Sequence, residues 1–161
     1  YTESRAGGVE SVLSVVEYAK QQPFTDKSRF IVMGQSGGGF LSVGTGAANP
    51  EGLVAVINFA GGHGGRPDRD PGNPCAVGKL TQVFAQAGKT SRVPALWVYT
   101  ENDKYFGPDH TRSWHEAFVA AGGKAEYRLL PAFENDGHSL FVRGTKIWQP
   151  VVADFLKSLG F

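Results

Sequence analysis

The sequence has almost no cysteine: Cys75 stands alone in 161 residues. One thiol excludes an internal disulfide and a thiolate cluster for a metal, and leaves the redox compartment open. An excess of either charge is also missing, since 16 basic and 15 acidic side chains leave a net charge of +1. They are spread along the chain, which argues against the concentrated basic footprint of a nucleic-acid partner. No apolar run approaches the roughly 20 residues that cross a bilayer, so no membrane span is expected. HExxH, paired-cysteine and Walker-type spacings are absent as well, and no metal site is expected. Thr2 to Gly8 holds neither an apolar signal core nor a basic run before one. With Tyr1 in place of Met, the start is expected to be a cut one.

What is present fits one globular domain over residues 1–161, with 41% hydrophobic and 19% charged residues. Val9, Val12, Leu13, Val16 and Ala19 fall at helical spacing before Pro23 and Asp26 interrupt them. Phe30 to Met33 then makes a short unbroken apolar run, the type expected of a strand buried on both faces of a parallel sheet. Small residues follow, up to Asn49 and Pro50, and suit a helix packed very close to its neighbours. Leu53 to Phe59 predicts a second buried strand, followed by a long loop from Ala60 to Pro74. Leu80, Val83, Phe84 and Ala87 predict a helix that stops at Gly88, and Val93 to Tyr99 a strand with Pro94 near its start.

Trp114, Phe118 and Ala121 mark the next helix, closed by Gly122 and Gly123, and Glu126 to Leu130 a fourth strand. Trp148, Val152, Phe155, Leu156 and Leu159 mark the last helix, with Pro150 placed in its first turn, where proline is tolerated. This alternation predicts an α/β protein of three α/β/α layers around a mostly parallel sheet. Four strands beginning on a helix are few for such a sheet, so strands are expected to be missing at the N-terminal side. One edge would then stand open to an oligomeric partner.

Gly34, Gln35, Ser36, Gly37 and Gly38 form GxSxG where a buried strand turns into a helix. A serine in that tight turn requires small neighbours on both sides, and the turn lifts its hydroxyl above the sheet's carboxyl edge. The following helix aims free N–H groups at a reacting carbonyl, with the amide of Gly37 as one oxyanion donor. A serine hydroxyl also requires a base, for which histidine is suited near neutral pH. The nucleophile, acid and base of this strand-turn-helix arrangement run in the chain order Ser, acid, His.

That order selects His138, in the turn-prone segment after the last strand, over His110 and His115, at or within a helix. His63 lies in the loop after the second strand and would line the pocket. Asp103, past the end of the third strand, is preferred over Glu101 as the acid, because a short, well-held carboxylate suits the bond to an imidazole. Asp109 and Asp136 are weaker candidates. Phe59, Tyr105 and Phe106 are candidate pocket walls.

Together these residues resemble the α/β-hydrolase superfamily, and GQSGGG (34–39), YTENDKYFGP (99–108) and NDGHSLF (135–141) resemble its dienelactone-hydrolase-like branch. INFAGG (57–62) is similar too. The resemblance implies the C-terminal, catalytic half of the family domain, a second oxyanion donor in the half before it, and neither metal nor organic cofactor. Gln35, beside the nucleophile, is a candidate substrate-binding residue. Dienelactone hydrolases carry cysteine where this chain has Ser36, so the likeness is to fold and branch and not to that substrate. Cys75, in a Pro-rich loop with no strand-to-helix turn, cannot replace Ser36.

The expectation is a serine hydrolase that cleaves small or aromatic carboxylic esters through an acyl-enzyme, using Ser36, Asp103 and His138. A serine peptidase of prolyl-oligopeptidase type, which shares the same turn and triad order, is the alternative enzyme. A non-catalytic fragment or binding module is the alternative of another class.

Overall fold

The computed structural model describes residues 2–161, with side chains from residue 6 onward. Helix α1 (Thr2–Lys20) is followed by β1 (Phe30–Gln35), α2 (Gly37–Ala48), β2 (Leu53–Phe59), α3 (Val77–Thr90), β3 (Ala95–Thr100), α4 (Pro108–Ala120) and β4 (Ala125–Leu130). A 3₁₀ turn at Gly137–Ser139, the short α5 (Leu140–Arg143) and α6 (Thr145–Ser158) complete it. Among the described residues no helix is long and apolar enough to cross a membrane.

Neighbouring strands pair in parallel, in the order β1-β2-β3-β4. The side-chain period of two sorts each central strand between two layers. Ala95, Trp97 and Tyr99 of β3 join Phe40, Leu80, Phe84, Trp114 and Phe118 on the α2, α3 and α4 side. Leu96 and Val98 join Ile57, Phe59, Leu140, Val152 and Phe155 on the α6 side. β2 and β3 are thus buried on both faces, as their unbroken apolar runs require, whereas the edge strands β1 and β4 are mostly half-buried. Burying each large apolar side chain contributes about 1.5–3 kcal/mol before entropy is counted.

On α1 the periodic positions Val9, Val12, Leu13, Val16 and Ala19 are half-buried, while Ser11, Val15 and Tyr18 are exposed. Asn49 ends α2 in the left-handed conformation, and Gly122, at φ 106°, follows α4.

Elsewhere the structure corrects the sequence reading. Helix α3 runs through Gly88 to Thr90. Gly88 serves close approach and not termination: a methyl there would strike the backbone carbonyl of Phe118 on α4. β3 begins after Pro94, whose nitrogen has no hydrogen to donate to a ladder. Pro150 sits in the second turn of α6 and not its first, because that helix begins at Thr145. The missing N–H removes one intrahelical bond there.

Parallel pairing brings the carboxyl ends of all these strands to one edge, with Gln35 opposite Phe59 and Thr100 opposite Leu130. The loops after β1, β2, β3 and β4 therefore leave from a common rim.

Candidate active site

Ser36 joins β1 to α2 with φ 56° and ψ −121°. This positive φ disfavours any residue with a Cβ and costs roughly 1–3 kcal/mol. Backbone bonds on both sides hold it. The Ser36 N–H donates to the Phe59 carbonyl at 2.9 Å, and the Ser36 carbonyl accepts from Phe40 at 3.0 Å and Gly62 at 3.2 Å. A serine preceding a helix commonly spends its hydroxyl on the helix amides, but that of Ser36 makes no such cap.

The steric demand on glycine falls on Gly34 and Gly39 and not on Gly37 and Gly38. A methyl on Gly34 would collide with the carbonyl of Gly38, and one on Gly39 with Asn58 and Gly61, whereas Gly37 and Gly38 face open space. Gly37 is exposed and opens α2, where helix geometry leaves its N–H without an intrahelical acceptor.

Beyond β3, Asp103 is buried. Its Oδ1 accepts from the amides of Tyr105 at 2.8 Å and Phe106 at 3.0 Å. His138 Nδ1 lies 3.1 Å from Oδ1 and 3.0 Å from Oδ2 of the same carboxylate. This bond occupies Nδ1 and leaves Nε2 for proton transfer. Tyr105 stacks on the imidazole, with ring centroids 4.0 Å apart, and Phe106 meets it edge-on at 5.5 Å. Glu101 and Asp109 are exposed, and among the described residues the carboxylate bonded to the His138 ring is that of Asp103.

Several expected pocket residues have other surroundings. Phe59 is 1% exposed and packs against Phe141 and Trp148, so it belongs to the core and not to an open pocket wall. Phe106 is 2% exposed and backs the imidazole. The Gln35 amide donates to the His138 carbonyl at 2.6 Å, so it ties the nucleophile turn to the base loop in place of pointing at a substrate. His63 is exposed, edge-on to Phe40. His110 lies on Asn73 and His115 on the Ala125 carbonyl, so neither ring is engaged with Asp103. Cys75 is exposed, and its amide closes the loop after β2 onto the Gly64 carbonyl at 2.8 Å.

That loop is fastened to the acid loop as well. Gly72 donates to the Lys104 carbonyl and accepts from the Gly107 amide, each at 2.7 Å. Beneath the rim, the Tyr99 hydroxyl donates to the Gly61 carbonyl at 2.7 Å and accepts from Asn58 at 3.1 Å. Burial pushes the Tyr99 phenol well above its ordinary range, so it remains a donor. Among the described residues no group of three or more His, Cys, Asp or Glu side chains gathers as a metal site.

Sequence reasoning passed over the bracing roles of Gln35, Asn102 and Asp136. The Asn102 amide nitrogen donates to the carbonyls of Phe133 and Glu134, and its oxygen accepts from the Phe133 amide. Asp136 accepts from both Lys104 and His138. An Asp two residues before a histidine in a turn was the available signal for the last of these.

A strand-turn-helix serine, with an imidazole and a buried carboxylate on the loops after later parallel strands, is the architecture of the α/β-hydrolase fold. The chain belongs to the dienelactone hydrolase family, whose profile matches residues 2–154. No curated protein matches the chain significantly. Solved structures do. A Klebsiella pneumoniae protein assigned as a dienelactone hydrolase is 20% identical with a TM-score of 0.65, over 90% of this chain and 58% of its own. A Pyrococcus furiosus esterase is 13% identical with a TM-score of 0.66, over 95% and 62%. A Pyrococcus horikoshii acylaminoacyl peptidase is 14% identical with a TM-score of 0.61, over 84% and 24%. At these identities the likeness establishes the fold, and the chain spans less than two thirds of each of the three.

Proposed function

We propose that the protein is a serine hydrolase acting on small carboxylic esters. Ser36 Oγ attacks the ester carbonyl while His138 Nε2 takes its proton and passes it to the leaving alcohol. A water, deprotonated by the same imidazole, then releases the acid from the acyl-enzyme. Asp103 stays ionised throughout, fixes the tautomer and stabilises the imidazolium. The Gly37 amide donates to the developing oxyanion.

The observation that carries this reading is the His138–Asp103 pair at 3.0 Å, on the rim from which the uncapped Ser36 turn also rises. Two backbone amides hold the Asp103 carboxylate in place beside the imidazole, as the role requires. The dienelactone hydrolase assignment and the esterase among the similar structures support hydrolysis and an ester substrate.

We further propose that residues 1–161 form part of one α/β-hydrolase domain whose further strands add at the β1 edge. Met33 on β1 and Val15 on α1 are exposed apolar side chains that share a groove along that edge. Such an addition would cover them and bring the second oxyanion donor.

A fluorophosphonate probe followed by peptide mapping tests the reading. Covalent label on Ser36, lost in His138→Gln, is expected. An unlabelled Ser36 in folded protein would leave a non-catalytic binding module. A peptidase reading draws on the acylaminoacyl peptidase among the similar structures. Aryl esters compared with aminoacyl amides separate the two, and faster amide cleavage would overturn the ester assignment.

A further inference from the structure

Asp136 lies two residues before His138 and bonds to its backbone, not to its imidazole. Its Oδ1 instead accepts two backbone amides at 3.0 Å each. One belongs to His138, which carries the proposed base. The other belongs to Lys104, the residue that follows the proposed acid. A single carboxylate oxygen therefore joins the loop after β4 to the loop after β3, beside the pair that must stay aligned. We propose that Asp136 is a positioning residue, whose carboxylate sets the His138 imidazole against Asp103. The proposal rests on the Ser36, His138 and Asp103 reading and adds a fourth side chain to it.

Geometry supports a role distinct from general loop stability. Asn102 already secures the 133–134 turn through its side chain, and its carbonyl accepts from the Gly137 amide at 3.3 Å. Asp136 adds control at the next step along the chain. It caps the 3₁₀ turn Gly137–Ser139 with its side chain, while its carbonyl accepts from the Ser139 hydroxyl at 2.8 Å. With the His138 amide fixed by Asp136 and the His138 carbonyl by Gln35, both peptide groups flanking the imidazole are restrained. The ring is left the bond to Asp103 and the stack on Tyr105. Half-buried Asp136 has no comparable hold on Ser36, so losing it should disturb the acid–base pair and leave the nucleophile turn in place.

The test compares Asp136→Ala and Asp136→Asn in the whole protein with an aryl acetate as substrate. Displacing an imidazole by a fraction of an ångström to an ångström lowers turnover by about tenfold to a hundredfold. Asp136→Ala is expected to lose that much in kcat with KM changed by less than about threefold. Asp136→Asn keeps an oxygen that accepts both amides and is expected to recover most of the loss. The low-field proton resonance of the His138–Asp103 bond supplies a readout besides turnover. It should shift or broaden in Asp136→Ala, return in Asp136→Asn, and vanish in His138→Gln. Wild-type kcat and an unmoved resonance in folded Asp136→Ala would overturn the proposal. So would Asp136→Asn as impaired as Asp136→Ala. If Asp136→Ala fails to fold, Asp136→Asn and Asp136→Ser decide by the same two readouts. Failure of the underlying triad is separate: it would appear as wild-type protein in which Ser36 takes no fluorophosphonate.

Discussion

The ring of Tyr105 lies nearly parallel to that of His138, at 24° and with 4.0 Å between centroids. It covers one face of the imidazole, and an imidazolium formed during turnover would gain from the π face beside it. Tyr105→Leu is expected to lower kcat/KM for an aryl ester by about tenfold, equivalent to about 1.4 kcal/mol, within the range for such contacts. Tyr105→Phe keeps the stack and should stay within about twofold of wild type. Steady-state kinetics on the two variants check this.

Asp103 has two jobs that one substitution separates. Asp103→Asn keeps an oxygen for the Tyr105 and Phe106 amides, so the loop should hold, yet it no longer secures the required imidazole tautomer. A loss of about 10⁴ in kcat is expected, the size known for this substitution in serine-protease triads. Glu101→Gln should change turnover by less than about twofold. An equal loss in both variants would contradict the choice of acid.

Ser36→Ala should lower ester turnover about 10⁴-fold or more. Because alanine keeps a Cβ at φ 56°, its melting temperature should stay near wild type. Ser36→Gly should be just as inactive but more stable than Ser36→Ala by about 1 kcal/mol, since glycine occupies positive φ without strain. Thermal unfolding of the pair measures the strain held in the turn.

Tyr99 links the rim to alkaline stability. Its phenol is raised well above the ordinary value near 10 by burial, and Tyr127 is raised by the same cause. The folded state therefore holds these protons more tightly than the unfolded one. That contribution is complete below about pH 10 and declines as pH rises toward the folded values. Tyr99→Phe should flatten this alkaline decline in part, with Tyr127 supplying the rest. At neutral pH it should cost about 1–3 kcal/mol, because the Asn58 amide and Gly61 carbonyl lose their partner. Denaturant titrations at pH 7 and above 10 check both statements.

The alternation of elements was legible because the central strands are buried on both faces and α1, α3, α4 and α6 carry apolar residues at helical spacing. The turn at Ser36 was legible because strand, turn and helix all fall within a short stretch. Asp103 and His138 followed from chain order, and the structure puts them on each other. What periodicity could not show was long-range packing. Gly88 read as a helix stop because nothing in its own segment announces Phe118 thirty residues away. Phe59 read as a pocket wall because Phe141 and Trp148, which enclose it, arrive from the far end of the chain. The bonds of Gln35 and Asp136 were passed over for a related reason: their partners are backbone groups, and any residue type can supply those.

The loop after β2 is pinned at Gly64–Cys75 and again at Gly72, where it meets Lys104 and Gly107. Residues 65 to 71 form an arch between these fasteners, and Arg66 with Asp70 ties its interior. An arch on fixed footings can change span and lining without moving its foundations. Variation in that stretch can therefore alter the surface beside Tyr105, which Gly65 approaches closely, without unfastening the two loops the arch joins.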